Sequence, residues 1–97
     1  MSSGNESGEI QIANVELNRC YWRSRRGLLE LDLLLPPFVS ERFETLSVAH
    51  RAALHRLLDC EDQDIWSWMQ QRAEPDDAGV GEIVGLIRAF NERRSSN

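Results

Sequence analysis

The 97-residue sequence predicts an all-α protein, a small bundle of about five short helices. Three observations lead there. Apolar residues recur at i, i+3, i+4 and i+7 instead of alternating. Asn, Ser or Asp stands ahead of most of these runs, where a side-chain oxygen can accept the orphan N–H groups of a helix start. The one stretch that also alternates, from Leu29 to Leu35, has no second strand-like segment to pair with.

The first helix is expected to begin at a cap on Asn14 and to carry Val15, Leu17, Cys20 and Tyr21 along one side. Its last turn is basic, which complements the negative end of the helix dipole. Gly27 follows, suited to the left-handed position that ends many helices. Leu28 opens the second apolar segment. There Leu28, Leu31, Leu35 and Phe38 keep helical spacing, Leu29, Leu33 and Leu34 widen the stripe, and Glu30 and Asp32 occupy the dipole-favoured first turn. Pro36-Pro37 removes two backbone donors and is expected to break or kink this helix, with a further helical stretch running from Pro37 to Thr45.

Ser47 is expected to cap a third helix that turns Ala53, Leu54, Leu57 and Leu58 inward. Asp62 would cap a fourth, with Ile65, Trp68 and Met69 facing the core and Trp66 at its rim. After the AEPDDAG turn, Asp76 or Asp77 would cap the last helix, whose inward face is Val80, Ile83, Val84, Ile87 and Phe90. Gly79, Gly81 and Gly85 are costly inside a helix, about 1 kcal/mol each against alanine, and close helix packing is the natural compensation. Residues 1–9 read as a disordered tail, 10–94 as a single domain and 95–97 as a frayed end.

Composition narrows the function classes. At 41% hydrophobic and 28% charged, the chain is ordinary for a soluble domain. No apolar run approaches the roughly 20 residues of a membrane span, and the N-terminus lacks the basic and apolar regions of an export signal. The expectation is a cytoplasmic monomer that inserts into no membrane. Cys20 and Cys60 lie in no paired-cysteine motif and are expected to be small buried apolar groups.

The sequence holds no Gly-rich phosphate loop, no GxSxG and no HExxH. His50 and His55 sit five apart, about 140° around a helix, so they do not form the one-face pair a metal requires. No catalytic, metal or cofactor-binding residue is assigned, and the protein is not expected to be an enzyme. Charge is more informative. Arg19, Arg23, Arg25 and Arg26 fall within eight residues that contain no acid, in a chain of net charge -5. Asp59, Glu61, Asp62 and Asp64 form what reads as the opposite pole. A nucleic-acid reader would carry a net basic domain, so none is expected as partner. Arginine forks suit carboxylates and carbonyls of another protein.

Arg26-Gly27-Leu28-Leu29-Glu30 makes an RGxxE motif, extended as RRGLLELD from Arg25 to Asp32 and followed by Pro37-Phe38. Downstream, LLDCEDQDIWSWM from Leu57 to Met69 makes an LLxCxDxDxxxWM block. Together these resemble the SdhE family of bacteria and mitochondria, known in eukaryotes as succinate dehydrogenase assembly factor 2, over Asn18 to Asn91. The resemblance implies a five-helix protein that binds the flavoprotein subunit of succinate dehydrogenase, or of the related fumarate reductase. It would promote covalent attachment of FAD to a histidine of that partner, FAD being the partner's cofactor and not one held stably here. It also implies a partner-binding site at Arg25, Arg26, Gly27, Glu30 and Asp32. The alternative is a regulatory binding module of antitoxin type acting on a different partner.

Overall fold

The computed structural model describes residues 15–95. They form α1 (residues 15–23), α2 (Leu29–Arg42), a 3-10 turn (Phe43–Thr45), α3 (Val48–Leu58), α4 (Asp62–Met69) and α5 (Ala78–Ser95), with no strand among them. The all-α expectation of about five helices holds. The expected tail at 1–9, the Asn14 cap and residues 96–97 lie outside the described residues.

The core follows the apolar spacing. Leu31, Leu35, Phe38 and Val39 of α2 meet Ala53, Leu54, Leu57 and Leu58 of α3, Ile65 and Met69 of α4, and Val80, Ile83, Val84, Ile87 and Phe90 of α5. Long α5 packs along both α3 and α2, and short α4 leans on α2 and α5. Two caps stand where the sequence puts them. Ser47 Oγ accepts from the His50 backbone N–H at 3.0 Å, and Asp77 Oδ1 accepts from that of Val80 at 3.1 Å.

Four expectations are corrected. Leu29 and Leu33 do not widen the buried stripe. Only one face of α2 can point inward, and these two leucines point to solvent, 68% and 59% exposed. Trp68 is half-buried, as is Trp66, because an eight-residue helix at the bundle's edge turns only Ile65 and Met69 fully inward. Cys60 is half-buried, whereas Cys20 is fully buried as expected, and both are free thiols.

The fourth correction concerns Pro36 and Pro37, which do not break α2; it runs unbroken to Arg42. A proline at 37 leaves the Leu33 carbonyl without its i+4 donor. Arg94 Nη2 of α5 fills that place at 3.1 Å, and Asn91 Nδ2 donates to the neighbouring Leu34 carbonyl at 3.2 Å. Arg94 is itself held with its guanidinium carbon 5.4 Å from the Phe90 ring centre. The last helix thus supplies one of the two donors that the prolines remove from the second.

The three glycines of α5 differ in what surrounds them. Gly79 lies under Arg56, where a Cβ would come within 2.6 Å of Nη2 and 3.5 Å of Ala53 Cβ. A side chain at Gly79 would displace the Arg56 guanidinium from its place beside Asp77. Close packing does not account for Gly85, which has nothing within 4 Å.

Candidate docking site

The corner between α1 and α2 is built by satisfying helix-end carbonyls. The last four carbonyls of an α-helix have no donor within it. In α1 they are those of residues 20–23. The Ser24 backbone N–H donates to Cys20 and Tyr21, each at 3.0 Å, and the Arg25 N–H donates to Trp22 at 3.2 Å. Buried Ser24 also donates its hydroxyl to Tyr21, and Arg26 Nη1 donates to the Arg23 carbonyl at 3.1 Å. The end of α1 is thus closed without any left-handed residue. Gly27 lies beyond it, and no glycine among the described residues has a positive φ. The expected role of Gly27 as helix terminator is corrected.

Arg26 does most of the joining. Its Nε donates to Asp62 Oδ1 at 2.6 Å, Nη1 to the Leu58 carbonyl at 2.9 Å and Nη2 to the Cys60 carbonyl at 2.7 Å. With the bond to Arg23, four of its five N–H groups are used, and its side chain is only 14% exposed. Leu58 is the last residue of α3, so a cation here meets both the orphan carbonyls and the negative end of that helix. Arg23 braces the same end, donating to the His55 carbonyl, contacting His55 Nδ1 at 3.1 Å and pairing with Asp59. The basic and acidic clusters are therefore not opposite poles; they meet at the α1–α3–α4 junction.

Asp62 is drawn into this junction and does not cap its own helix. Glu61 is the N-cap residue of α4, and its side chain makes no capping bond. Asp32 is likewise turned inward, its carboxylate accepting from the Arg26 backbone N–H. Residue 26 is held on both sides, by its side chain to α3 and α4 and by its backbone to α2.

What stays outward is a short continuous surface. Arg25, Gly27, Leu29 and Glu30 are exposed, and a Cβ built on Gly27 would meet nothing within 4 Å. Arg26 pairs with Asp62 and not with Glu30. Beside this stretch runs a groove of about 470 Å³ between Tyr21 and Arg25 of the α1 end and Leu29, Leu33 and Pro37 of α2. Of the five residues expected to bind a partner, Arg25, Gly27 and Glu30 face solvent, while Arg26 and Asp32 hold the corner together. Sequence reasoning missed Asp62, Arg23 and the Leu58 and Cys60 carbonyls as parts of this corner. Only the bare presence of acids in the LLDCEDQD block hinted at it.

No cluster of three or more metal-ligating side chains occurs among the described residues, nor any helix long and apolar enough to cross a membrane. Burial pushes the Cys20 thiol up to about 11, and burial with nearby Asp64 and Asp59 raises that of Cys60. Both are held as thiols, poor nucleophiles and poor metal ligands at neutral pH.

The described residues thus form an all-helical scaffold that presents a small open corner beside a groove. Residues 18–91 match the family model described as flavinator of succinate dehydrogenase, and the chain belongs to that family. It is 53% identical over 76 residues to the FAD assembly factor SdhE of Pseudomonas savastanoi pv. phaseolicola, spanning 78% of this chain and 90% of that one. To the factor of the same name in Pseudomonas aeruginosa it is 51% identical over 72 residues, 74% of this chain and 86% of the other. To that of a Serratia species it is 38% identical over 76 residues, 78% and 86% of the two chains. The matched range coincides with the Asn18–Asn91 span read from the motifs.

Proposed function

We propose that this protein is an assembly factor that docks on the flavoprotein subunit of succinate dehydrogenase, or of fumarate reductase, and promotes covalent attachment of FAD there. Membership of the flavinator family supports the reading, as do the names of its relatives. The single observation that carries it to particular residues is Gly27. Its backbone angle needs no glycine, and nothing inside the molecule occupies the space of a side chain. Set between exposed Arg25 and Glu30, its bareness lets a surface outside approach the backbone closely there.

In this reading Arg25 and Glu30 flank the bare backbone with opposite charges and pair with complementary groups on the flavoprotein. FAD and the histidine it joins belong to the partner, and this chain holds neither stably. Its contribution is positional: a monomer of the cytoplasm that holds the flavoprotein's own groups in a competent arrangement, with no bond made or broken on its side chains. Binding energy at the corner, offset by ordering the partner, is the whole of its effect.

Glu30 separates docking from chemistry. Flavin fluorescence of the partner band in a denaturing gel is followed against factor concentration, at fixed flavoprotein and FAD. Addition of the wild-type protein is expected to raise covalent flavin. Glu30→Gln is expected to shift the curve to higher concentration and reach the same plateau, because mass action restores lost binding. A plateau lowered by about a hundredfold, as for loss of a general base, would place Glu30 in the reaction instead.

A further inference from the structure

The Arg26–Asp62 junction carries an inference that rests on the docking reading and deepens it. We infer that Arg26 is a positioning residue, and that Asp62, 36 positions downstream and outside the RGxxE motif, is part of the docking apparatus without touching the partner.

Three observations converge. Arg26 has four of its N–H groups committed within the molecule and little exposed surface, so it has almost nothing left to offer a partner. Asp62 forgoes a cap at the start of its own helix to reach Nε of Arg26. The backbone of residue 26, pinned by Asp32, is one peptide from Gly27. Fixing Arg26 from both sides fixes where the bare backbone points and where α2 begins, and so where Glu30 stands. A flexible corner would have to be ordered on docking, and that ordering weakens binding; the junction removes this cost in advance. The RGxxE motif is thereby divided: its arginine acts inward, its glycine and glutamate outward.

The test titrates flavinylation of the flavoprotein subunit with wild-type protein, Asp62→Asn, Arg26→Lys and the double variant. Amide hydrogen exchange and thermal melting are measured on each free protein. Asp62→Asn is expected to stay folded, to exchange faster over residues 24–28 than over α5, and to need about tenfold more protein for half-maximal flavinylation at an unchanged plateau. The double variant is expected to be within about twofold of Arg26→Lys alone, since both weaken the same junction, Asp62→Asn by removing its charge. Combining Asp62→Asn with Glu30→Gln is expected to be additive, as the two act separately. If Arg26→Lys weakens docking while Asp62→Asn does not, Arg26 is a direct contact and the inference is overturned. Unchanged exchange over 24–28 in Asp62→Asn overturns it as well. This last result is read without the flavoprotein, so it still decides the positioning role if wild-type protein leaves covalent flavin unchanged and the functional reading fails.

Discussion

Two corners of this molecule treat the left-handed backbone in opposite ways. Between α1 and α2 stands Gly27, a residue free to adopt that conformation, and it does not. After α4 stands Gln71, a residue that adopts it reluctantly, with φ of 62°. There the Arg72 N–H reaches the Ser67 carbonyl at 2.9 Å and the Gln71 N–H that of Trp68 at 3.1 Å, a six-to-one and five-to-two pair that closes α4. The fold accepts strain from a glutamine where geometry wants glycine, and keeps a glycine where geometry is indifferent. Gly85 is equally free of demands from backbone and packing, so that freedom alone marks no docking site. Gly27 differs in standing between the exposed Arg25 and Glu30, and that setting supports its proposed place in the docking surface.

The largest effect that would sharpen the contrast is on docking. Gly27→Arg is expected to melt within a few degrees of wild type, since its side chain enters open space. It should raise the concentration for half-maximal flavinylation by roughly 30-fold or more, the scale of losing a binding hot spot. A folded Gly27→Arg protein with a normal titration would break the comparison and the site with it.

Next is the opposite corner. Gln71→Gly is expected to stabilise the protein by about 1 kcal/mol by relieving the left-handed conformation, raising Tm by roughly 4–8 °C, with flavinylation unchanged. A fall in Tm would show that the Gln71 side chain contributes more than its backbone costs.

The smallest effect concerns Asp77, which caps α5 beside the Arg56 guanidinium. The side-chain hydrogen bond from Arg56, with the Val80 N–H, holds its carboxyl down at about 2 from an ordinary 3.8. The folded value lies below the unfolded one, so the stabilisation is complete above the unfolded value and is lost as pH falls toward 2. Asn at this position keeps a capping oxygen and loses the charge. Asp77→Asn is expected to melt slightly lower than wild type near pH 5, with the gap closing as pH approaches 2. A gap that persists in acid would mean the charge is not its cause.

Much of the fold was legible in the sequence because its determinants are local. Ser47 and Asp77 each lie three residues from the N–H they accept, and the inward faces of α3 and α5 repeat within a few turns. Several of the misreadings involve partners remote in sequence. Gly27 read as a helix end because Ser24 and a guanidinium do that work, the latter bonding to α3 and α4, 32 to 36 positions away. Asp62 read as a cap because nothing nearby shows that it is wanted by Arg26. Pro36-Pro37 read as a break because Arg94, which serves the Leu33 carbonyl in place of a residue-37 N–H, stands 61 positions on. Leu29 and Leu33 read as core because α2 is apolar nearly all round, and periodicity alone does not choose the face. Of the site, the outward glycine and glutamate were visible as a motif. The scaffold that aims them was not.

The proline pair makes the middle of α2 depend on α5. Arg94 donates to the Leu33 carbonyl that Pro37 leaves without its helical donor, and Asn91 adds a bond to the Leu34 carbonyl beside it. Fraying of the last turns of α5 therefore withdraws a donor from within α2, so local opening at one end of the bundle reaches the helix that carries Glu30.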